Sequence, residues 1–148
     1  MLTYNNNRAN SKQVYEHISR CNFDPPLHTY LNLDSYIDKI LKNANRFECW
    51  DAGSLVGLVA VYCNDYTNHR SFVTLVSVDN DHQRQGIAKT LMAEAQDYCR
   101  ANEFKTMALE VYRNNMPAIH LYEKDGFAVE KESANALIMV KDLSANNG

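Results

Sequence analysis

Apolar residues follow two periods along the chain, and these periods predict the order of its strands and helices. Alternating or continuously apolar runs are typical of strands, and they occur at Met1–Tyr4, Phe47–Asp51, Leu55–Cys63, Ser71–Val78, Thr106–Val111, Phe127–Lys131 and Ala136–Leu143. Spacing of three and four residues is typical of helices, and it occurs over residues 14–21, Leu33–Asn45, Gly86–Ala101 and 117–122. The turn residues Ala52-Gly53-Ser54 predict a hairpin between two of the strands.

Polar residues at the ends of the helical segments predict where the helices begin and end. Asn10 or Ser11 is the expected N-cap of the first helix, and Asp34 or Ser35 that of the second. Asn102 tolerates the left-handed conformation, so we expect it to end the long third helix.

The order of these elements indicates the fold class. Helices stand between some strands, which implies parallel pairing there, whereas the hairpins imply antiparallel pairing. We therefore predict an α/β (α+β) fold with a mixed, mostly antiparallel central sheet flanked by helices. Neither a repeat nor a linker interrupts the pattern, so we expect a single domain over residues 1–148.

Composition and charge exclude several classes of protein. The 148 residues are 45% hydrophobic and 22% charged, which is typical of a globular protein. A net charge of −3 disfavours a nucleic-acid partner. The chain lacks an apolar run long enough for a membrane span, and its N-terminus does not resemble a signal peptide. The four cysteines stand singly, which predicts free thiols in the cytoplasm and no metal site.

The segment Gln83-Arg84-Gln85-Gly86-Ile87-Ala88 joins a predicted strand to the long helix. Glycine permits a sharp turn and leaves room for a ligand. The first amides of a helix lack internal partners and stand at the positive end of its dipole, so they favour phosphate. Arg84 and Lys89 add positive charge. An ordinary capped helix start is the alternative interpretation, and neither G-x-G-x-x-G nor a Walker motif is present.

A second motif, together with the first, supports a family resemblance. Gln83-x-x-Gly86-x-Ala88 opens the long helix, and Asn115-x-x-Ala118-x-x-x-Tyr122-x-x-x-Gly126-Phe127 follows the next strand. This pair resembles the GNAT superfamily of acyl-CoA-dependent N-acetyltransferases, over at least residues 47–143. Alanine at position 88 replaces the commoner glycine and is a frequent variant in that family.

The resemblance implies acetyl-CoA as a co-substrate and a set of residues that bind the cofactor. We expect no metal, because no histidine has the spacing of a metal ligand. The backbone of Val76 and Val78 would pair with the pantetheine arm, and Asn115 would bind the same arm. The remaining implied cofactor-binding residues are those around the pyrophosphate and on the later helix: Gln83, Arg84, Gln85, Gly86, Ile87, Ala88, Lys89, Ala118 and Tyr122.

The same resemblance implies roles in acetyl transfer. Tyr122 would protonate the leaving thiolate, since tyrosine keeps its proton at neutral pH. Glu110 is our candidate for the general base, with Glu48 and Asp51 as alternatives. The amide of Val78 is a candidate donor to the carbonyl oxygen.

The acceptor is less defined by the sequence. Two large apolar residues on a proline-stiffened loop, Phe23 and Leu27, and the tyrosine Tyr36 are predicted to bind it. We expect a small-molecule primary amine, and the alternative is a peptide or protein amine. Alternative hypotheses are a non-catalytic acyl-CoA-binding or sensing module, and a binding domain for another phosphorylated ligand. A homodimer through an open sheet edge is also compatible with the sequence.

Overall fold

The computed structural model describes residues 1–23 and 25–144, which form a seven-stranded sheet in the order β1-β2-β3-β4-β5-β7-β6. The strands are β1 (Leu2–Asn6), β2 (Ala44–Asp51), β3 (Ser54–Asp65), β4 (Arg70–Val78), β5 (Thr106–Tyr112), β6 (Ala128–Glu132) and β7 (Ala136–Asp142). The α-helices are α1 (Ser11–Ser19), α2 (Leu33–Asn43), α3 (Ile87–Ala101) and α4 (Met116–Lys124), and single 3-10 turns occur at Leu27–Thr29 and Asn80–His82. Strand β4 pairs with β5 in parallel, whereas β1 with β2, β5 with β7, and β6 with β7 are antiparallel. The predicted fold class is therefore confirmed.

Local side-chain chemistry explains where the helices begin. Asn10 caps α1 in a capping box with Gln13. Of the two N-caps predicted for this helix, Asn10 and Ser11, the first is therefore confirmed. The prediction for α2 was wrong, because Asn32 is its N-cap and accepts from the amide of Ser35 at 3.0 Å. Asparagine offers the same side-chain oxygen as aspartate, one residue before the helix itself begins.

Two helix ends also differ from the prediction. Helix α2 ends at Asn43 rather than Asn45, because Ala44 is already extended and begins β2. The left-handed residue after α3 is Glu103, with φ of 67°, rather than Asn102. The amide of Phe104 donates to the carbonyl of Cys99 across this turn at 2.9 Å. This backbone hydrogen bond closes the helix end with Glu103, rather than an asparagine, in the left-handed conformation.

Two compact units make up the chain: residues 1–61 with 75–95, and residues 62–74 with those from 96 onward. The first unit buries one face of α1 and of α2 through Val14, Ile18, Ile37 and Ile40. Its strand β3 is buried from Leu55 to Val61, as the continuous apolar run predicts.

Gly57 allows the first turn of α3 to lie against β3 in this unit. A Cβ atom at Gly57 would stand 2.5 Å from Cγ2 of Ile87, and 3.3 Å from Cδ1 of Leu91. Such a distance is far below normal van der Waals contact. The missing side chain at position 57 therefore sets how closely the head of α3 approaches the sheet.

The second unit is built on the pairing of β5 with β7, which runs from Thr106 opposite Asp142 to Tyr112 opposite Ala136. A buried lysine ties the end of α4 into this unit. Lys141 Nζ donates to Oε1 of Gln96 at 2.8 Å and to Oδ1 of Asp125, the C-cap of α4, at 3.1 Å. The carboxylate of the half-buried Asp125 also accepts from Nε2 of Gln96 at 2.8 Å, so the buried polar groups of Gln96 and Lys141 both have partners.

The four cysteines are free thiols, and Cys49, Cys63 and Cys99 are buried. Across residues 1–23 and 25–144, no helix is sufficiently long and apolar to cross a membrane. Strand β6 is an outer strand of the sheet with exposed residues throughout, and pairing of two chains along such an edge stays a prediction.

Candidate functional site

The segment between β4 and α3, residues 80–86, is called the anion loop here. It contains the left-handed residues Arg84, with φ of 65°, and Gly86, with φ of 74°. The carbonyl of Gly86 accepts from the amide of Thr90 at 3.0 Å, which is the first hydrogen bond of α3. No atom lies within 4 Å of the place that a Cβ of Gly86 would take, so the loop faces open space there.

The amides from Arg84 to Lys89 are available to a ligand. Within the described residues, none of them donates to a protein acceptor, and neither Arg84 nor Lys89 takes part in an ion pair. Both side chains are exposed, and they stand at the positive end of the dipole of a 15-residue helix. Unpaired amides with nearby cations form a surface that is suited to a phosphate group.

The end of β4 presents its two faces differently. Leu75 and Ser77 are buried, whereas Val76 and Val78, predicted to pair with pantetheine, are half-buried on the opposite face. The side chain of Gln83 approaches the same strand end, with its Nε2 atom 3.5 Å from the carbonyl oxygen of Val78.

A buried polar cluster connects α1 to the start of the anion loop. Nδ1 of His17 lies 2.6 Å from Oδ1 of Asp79, and Nε2 of His17 lies 2.8 Å from Oγ of Ser77. Arg20 Nε donates to Oδ2 of Asp79 at 2.9 Å. Burial lowers the pKa of His17 although Asp79 opposes this effect, and Arg20 offsets the charge of Asp79. We therefore assign a neutral imidazole, in which Nδ1–H donates to Asp79 and Nε2 accepts from Ser77.

His17 lies between Ser77 and Asp79 and contacts both, as the histidine of a Ser-His-Asp catalytic triad does. All three residues are buried, and the imidazole is fully excluded from solvent. Ser77 also points to the face of β4 opposite to Val76 and Val78. A substrate has no access to this serine, so the cluster acts as internal support rather than as a nucleophile.

Two residues of this cluster, together with the neighbouring Cys21, are the described residues whose spacing could suit a metal ion. Ligand atoms of His17, Cys21 and Asp79 lie within 4.8 Å of one another. However, both nitrogens of His17 are engaged, and the guanidinium of Arg20 contacts Asp79. Burial raises the pKa of Cys21 to about 12, which disfavours the thiolate that a metal needs. These donors therefore fit a metal ion poorly.

The anion loop has a second anchor at His82. Nε2 of His82 lies 2.8 Å from Oδ2 of Asp51, at the end of β2. This hydrogen bond is the main reason that the pKa of Asp51 is lowered. Asp51, an alternative for the general base, is thus engaged with the loop.

Glu48, the other alternative base in this unit, is fully buried. Its oxygens accept from the amides of Arg8 and Ala9, and from the side chains of Arg46 and Trp50, over 2.9–3.3 Å. With these lone pairs occupied, the carboxylate is part of the buried structure of β2.

In the second unit, Asn115 and Ala118 form the start of α4. The side-chain oxygen of Asn115 accepts from the amide of Ala118 at 3.3 Å, which makes Asn115 the N-cap. Asn115 is exposed, so its amide nitrogen remains accessible for the predicted contact with pantetheine. The structure therefore assigns Asn115 a capping role that its motif position did not reveal.

Tyr122 lies on α4 with its ring packed at 5.8 Å from that of Phe127. Burial raises the pKa of Tyr122 to about 12. No hydrogen bond to its hydroxyl occurs within the described residues. Glu110, on β5, is exposed between the buried residues Leu109 and Val111. Both predicted roles, proton donor for Tyr122 and base for Glu110, stay predictions.

The predicted acceptor residues are only partly brought together. Phe23 and Leu27 line one cleft of about 330 Å³, with Ile18 of α1 and Leu33 of α2. Tyr36 is half-buried on α2 but is not among the described residues that line this cleft. The described lining includes no aspartate or glutamate.

The model of the acetyltransferase (GNAT) family matches residues 11–127, and the chain therefore belongs to this family. The family resemblance seen in the sequence is confirmed.

Two curated relatives are acetyltransferases. The chain is 35% identical over 112 residues to spermidine N(1)-acetyltransferase of Vibrio cholerae, covering 73% of this chain and 64% of the relative. It is 37% identical over 76 residues to streptothricin acetyltransferase of Streptomyces lavendulae, covering 51% of this chain and 40% of the relative. The chain thus spans less than two thirds of the length of either relative.

A solved structure shares the fold. The PaiA N-acetyltransferase of Thermoplasma acidophilum, solved in complex with coenzyme A, matches with a TM-score of 0.74 and 17% identity. The match covers 95% of this chain and 99% of that protein.

Proposed function

We propose that this chain is an N-acetyltransferase that transfers the acetyl group of acetyl-CoA to the primary amine of a small molecule. The observation that carries the proposal is the anion loop, where the amides from Arg84 to Lys89 have no acceptor in the described protein. Membership of the GNAT family supplies the class of chemistry. The named relatives support a small amine as the acceptor.

The anion loop would bind the diphosphate of acetyl-CoA through these amides and through Arg84 and Lys89. Val76 and Val78, on the accessible face of β4, would pair their backbones with the pantetheine arm, and the side-chain amide of Asn115 would donate to it. The coenzyme A complex of the structurally similar protein supports this choice of ligand.

The reaction is direct attack in a ternary complex. The amine nitrogen bonds to the thioester carbonyl carbon, the carbon–sulfur bond breaks, and the amine loses a proton. Alkylamines with a pKa of about 10.4 are mostly charged at neutral pH, so a base must first remove a proton. We assign this step to Glu110, directly or through water, because its carboxylate is exposed and unpaired among the described contacts.

Two further groups act on the developing charges. The amide of Val78 is our candidate donor to the carbonyl oxygen. Tyr122 donates its proton to the leaving thiolate. With its pKa raised to about 12, Tyr122 remains protonated at neutral pH and is available as the acid.

The cleft of Phe23 and Leu27 favours an acceptor with a partly apolar or sugar-like body. Its described lining offers the aromatic rings of Tyr15 and Phe23 and the aliphatic side chains of Ile18, Leu27 and Leu33. We therefore expect Phe23→Ala to raise the acceptor KM more than Tyr36→Ala does, with acetyl-CoA binding unchanged in both variants. Equal acceptor kinetics in the parent and Phe23→Ala would reject this cleft as the acceptor site.

The proposed activity is tested by release of free thiol from acetyl-CoA. The acceptors are spermidine, an amino sugar, an aralkylamine and a peptide with a free N-terminus, and mass spectrometry identifies the acetylated product. Charge reversal by Arg84→Glu or Lys89→Glu should weaken CoA binding roughly tenfold or more, because either carboxylate would repel the diphosphate. Lys12→Glu, on the exposed face of α1, is the matched control and should bind CoA as the parent does.

Three results would refute the proposal, and each would favour a different function. Calorimetric binding of CoA without turnover of any amine would favour a sensing module. Preference for ATP or NAD over CoA would indicate another phosphorylated ligand. Turnover of the peptide alone would indicate a protein or peptide N-acetyltransferase.

A further inference from the structure

We propose that Asp79, held by His17 and Arg20, is a positioning residue that fixes the anion loop in its diphosphate-binding conformation. This inference rests on the proposed function, because it concerns the loop that would bind acetyl-CoA. The side chain of Asp79 is itself buried, so a ligand on the surface of the loop would not contact it.

Every polar group of Asp79 has a partner within the first unit. Its amide donates to the carbonyl of Val56 on β3 at 2.8 Å, and its carbonyl accepts from the amide of His82 at 2.9 Å. Its carboxylate accepts from His17 at 2.6 Å and from Arg20 at 2.9 Å. The first residue after β4 is therefore fixed from β3, from α1 and from the loop itself.

The partners of Asp79 are fixed in turn. The guanidinium of Arg20 also donates to the carbonyl of Leu55 at 2.8 Å, so it joins α1 to β3 as well as to Asp79. His17 contacts Ser77 through its second nitrogen at 2.8 Å. A side chain with several hydrogen-bond partners has few alternative conformations, so His17 and Arg20 together can hold the loop's starting point rigidly.

The anion loop needs such support because its conformation is strained. Arg84 has a left-handed backbone, with φ of 65°, which an L-residue other than glycine adopts only at a cost in free energy. The amides from Arg84 to Lys89 make no compensating hydrogen bond to the described protein. The loop is held at its ends instead: by Asp79, by His82 on Asp51, and by the hydrogen bond of Thr90 to Gly86.

Weakening the contacts of Asp79 should therefore let the amides that would bind the diphosphate move apart. Ordering them again would reduce the affinity for a ligand that has this group. A ligand that lacks the diphosphate would not meet this cost.

Coenzyme A and pantetheine, which lacks the diphosphate and the nucleotide, provide the test. Calorimetry gives the Kd of each for the parent, Asp79→Asn and Arg20→Met. We expect the Kd of CoA to rise about tenfold or more in both variants, since small displacements of binding groups carry such effects. The Kd of pantetheine should change less than about twofold. Lys12→Met, on the exposed face of the same helix, is the control and should leave both values unchanged.

Acetyl transfer supplies the second readout. The kcat/KM for acetyl-CoA should fall in both variants, whereas that for S-acetylpantetheine should not. An equal fall in kcat/KM with both donors would indicate general damage to the fold. No fall with either donor would show that the cluster does not position the loop. Each of these results would overturn the inference. If Asp79→Asn fails to fold, Arg20→Met decides the outcome, because its side chain is partly exposed. Parent protein that binds CoA but transfers no acetyl group would refute the proposed function alone, since the binding comparison would still stand.

Discussion

Replacing Glu48 by glutamine should destabilise the protein severely without acting on the chemistry itself. The carboxylate is fully buried and accepts from the amides of Arg8 and Ala9, and from Arg46 and Trp50. Glutamine preserves the shape but replaces one acceptor oxygen by an NH₂ group. That group would face the donors that now point at the carboxylate, so buried hydrogen bonds would be lost.

The magnitude follows from the charge that remains. Arg46 is buried with only 6% of its surface exposed, and its Nε atom lies 3.2 Å from Oε2 of Glu48. Removing one partner of a buried ion pair costs about 3–5 kcal/mol. Domains are typically stable by about 5–15 kcal/mol, so the variant should lose a large part of its folding free energy.

Urea denaturation at neutral pH measures this loss. Circular dichroism should be recorded beside the fluorescence of Trp50, because the indole itself donates to Glu48 at 3.3 Å. Glu16→Gln on α1 is the matched control, since it removes an exposed carboxylate and should change stability by less than about 0.5 kcal/mol. Combining Glu48→Gln with Arg46→Met should recover part of the loss, because the unpaired charge is then absent.

A loss below about 1 kcal/mol would refute the reasoning, because a saturated buried carboxylate cannot be that dispensable. A variant that is as stable as the parent but inactive would instead make Glu48 the general base. The experiment therefore separates the structural assignment from the catalytic alternative that the sequence left open.

Three further predictions concern the head of α3, the proposed acid and the buried histidine. Gly57→Ala should lower the free energy of unfolding by about 1–3 kcal/mol in urea denaturation, since its Cβ would stand 2.5 Å from Cγ2 of Ile87. Adding Ile87→Ala should relieve this clash. A single variant as stable as the parent would contradict the prediction. Tyr122→Phe should lower kcat about 10²-fold or more with an unchanged calorimetric Kd for CoA, and equal rates would reject the acid role. The pKa of His17 is lowered in the fold, so the unfolded chain binds the extra proton below pH of about 6.5. Stability should therefore fall from that pH downward in the parent but less in His17→Gln, as urea denaturation at a series of pH values would show; parallel curves would contradict this sign.

The sequence was informative where structure depends on neighbours along the chain. The run from Leu55 to Cys63 predicted a buried strand, and it lies in β3, which is buried from Leu55 to Val61. The residue Gly86 predicted a turn into a helix, and the left-handed conformation there explains why glycine suits this position. Helix ends were less predictable, because Asn32 and its neighbours Asp34 and Ser35 offer similar capping groups.

The polar clusters could not be predicted for a physical reason. His17 and Asp79 are separated by 62 residues, and the amide of Ala9 is 39 residues from Glu48. A charged or polar residue on a strand usually faces solvent, so Glu48 had no local feature that indicated burial. Only the folded chain shows that donors from the segment before α1 converge on this carboxylate.

Contacts between residues distant in sequence also bear on the anion loop. A loop that keeps its amides unpaired for a ligand cannot also use them to hold its own conformation. The required rigidity must then come from residues outside the loop. Asp79 and His82 supply it through partners on α1 and β2, while Gly57 fixes the approach of the following helix. In the proposed function, the short motif around Gly86 therefore specifies where the diphosphate would bind, whereas residues distant in sequence would determine whether the amides are in position to bind it.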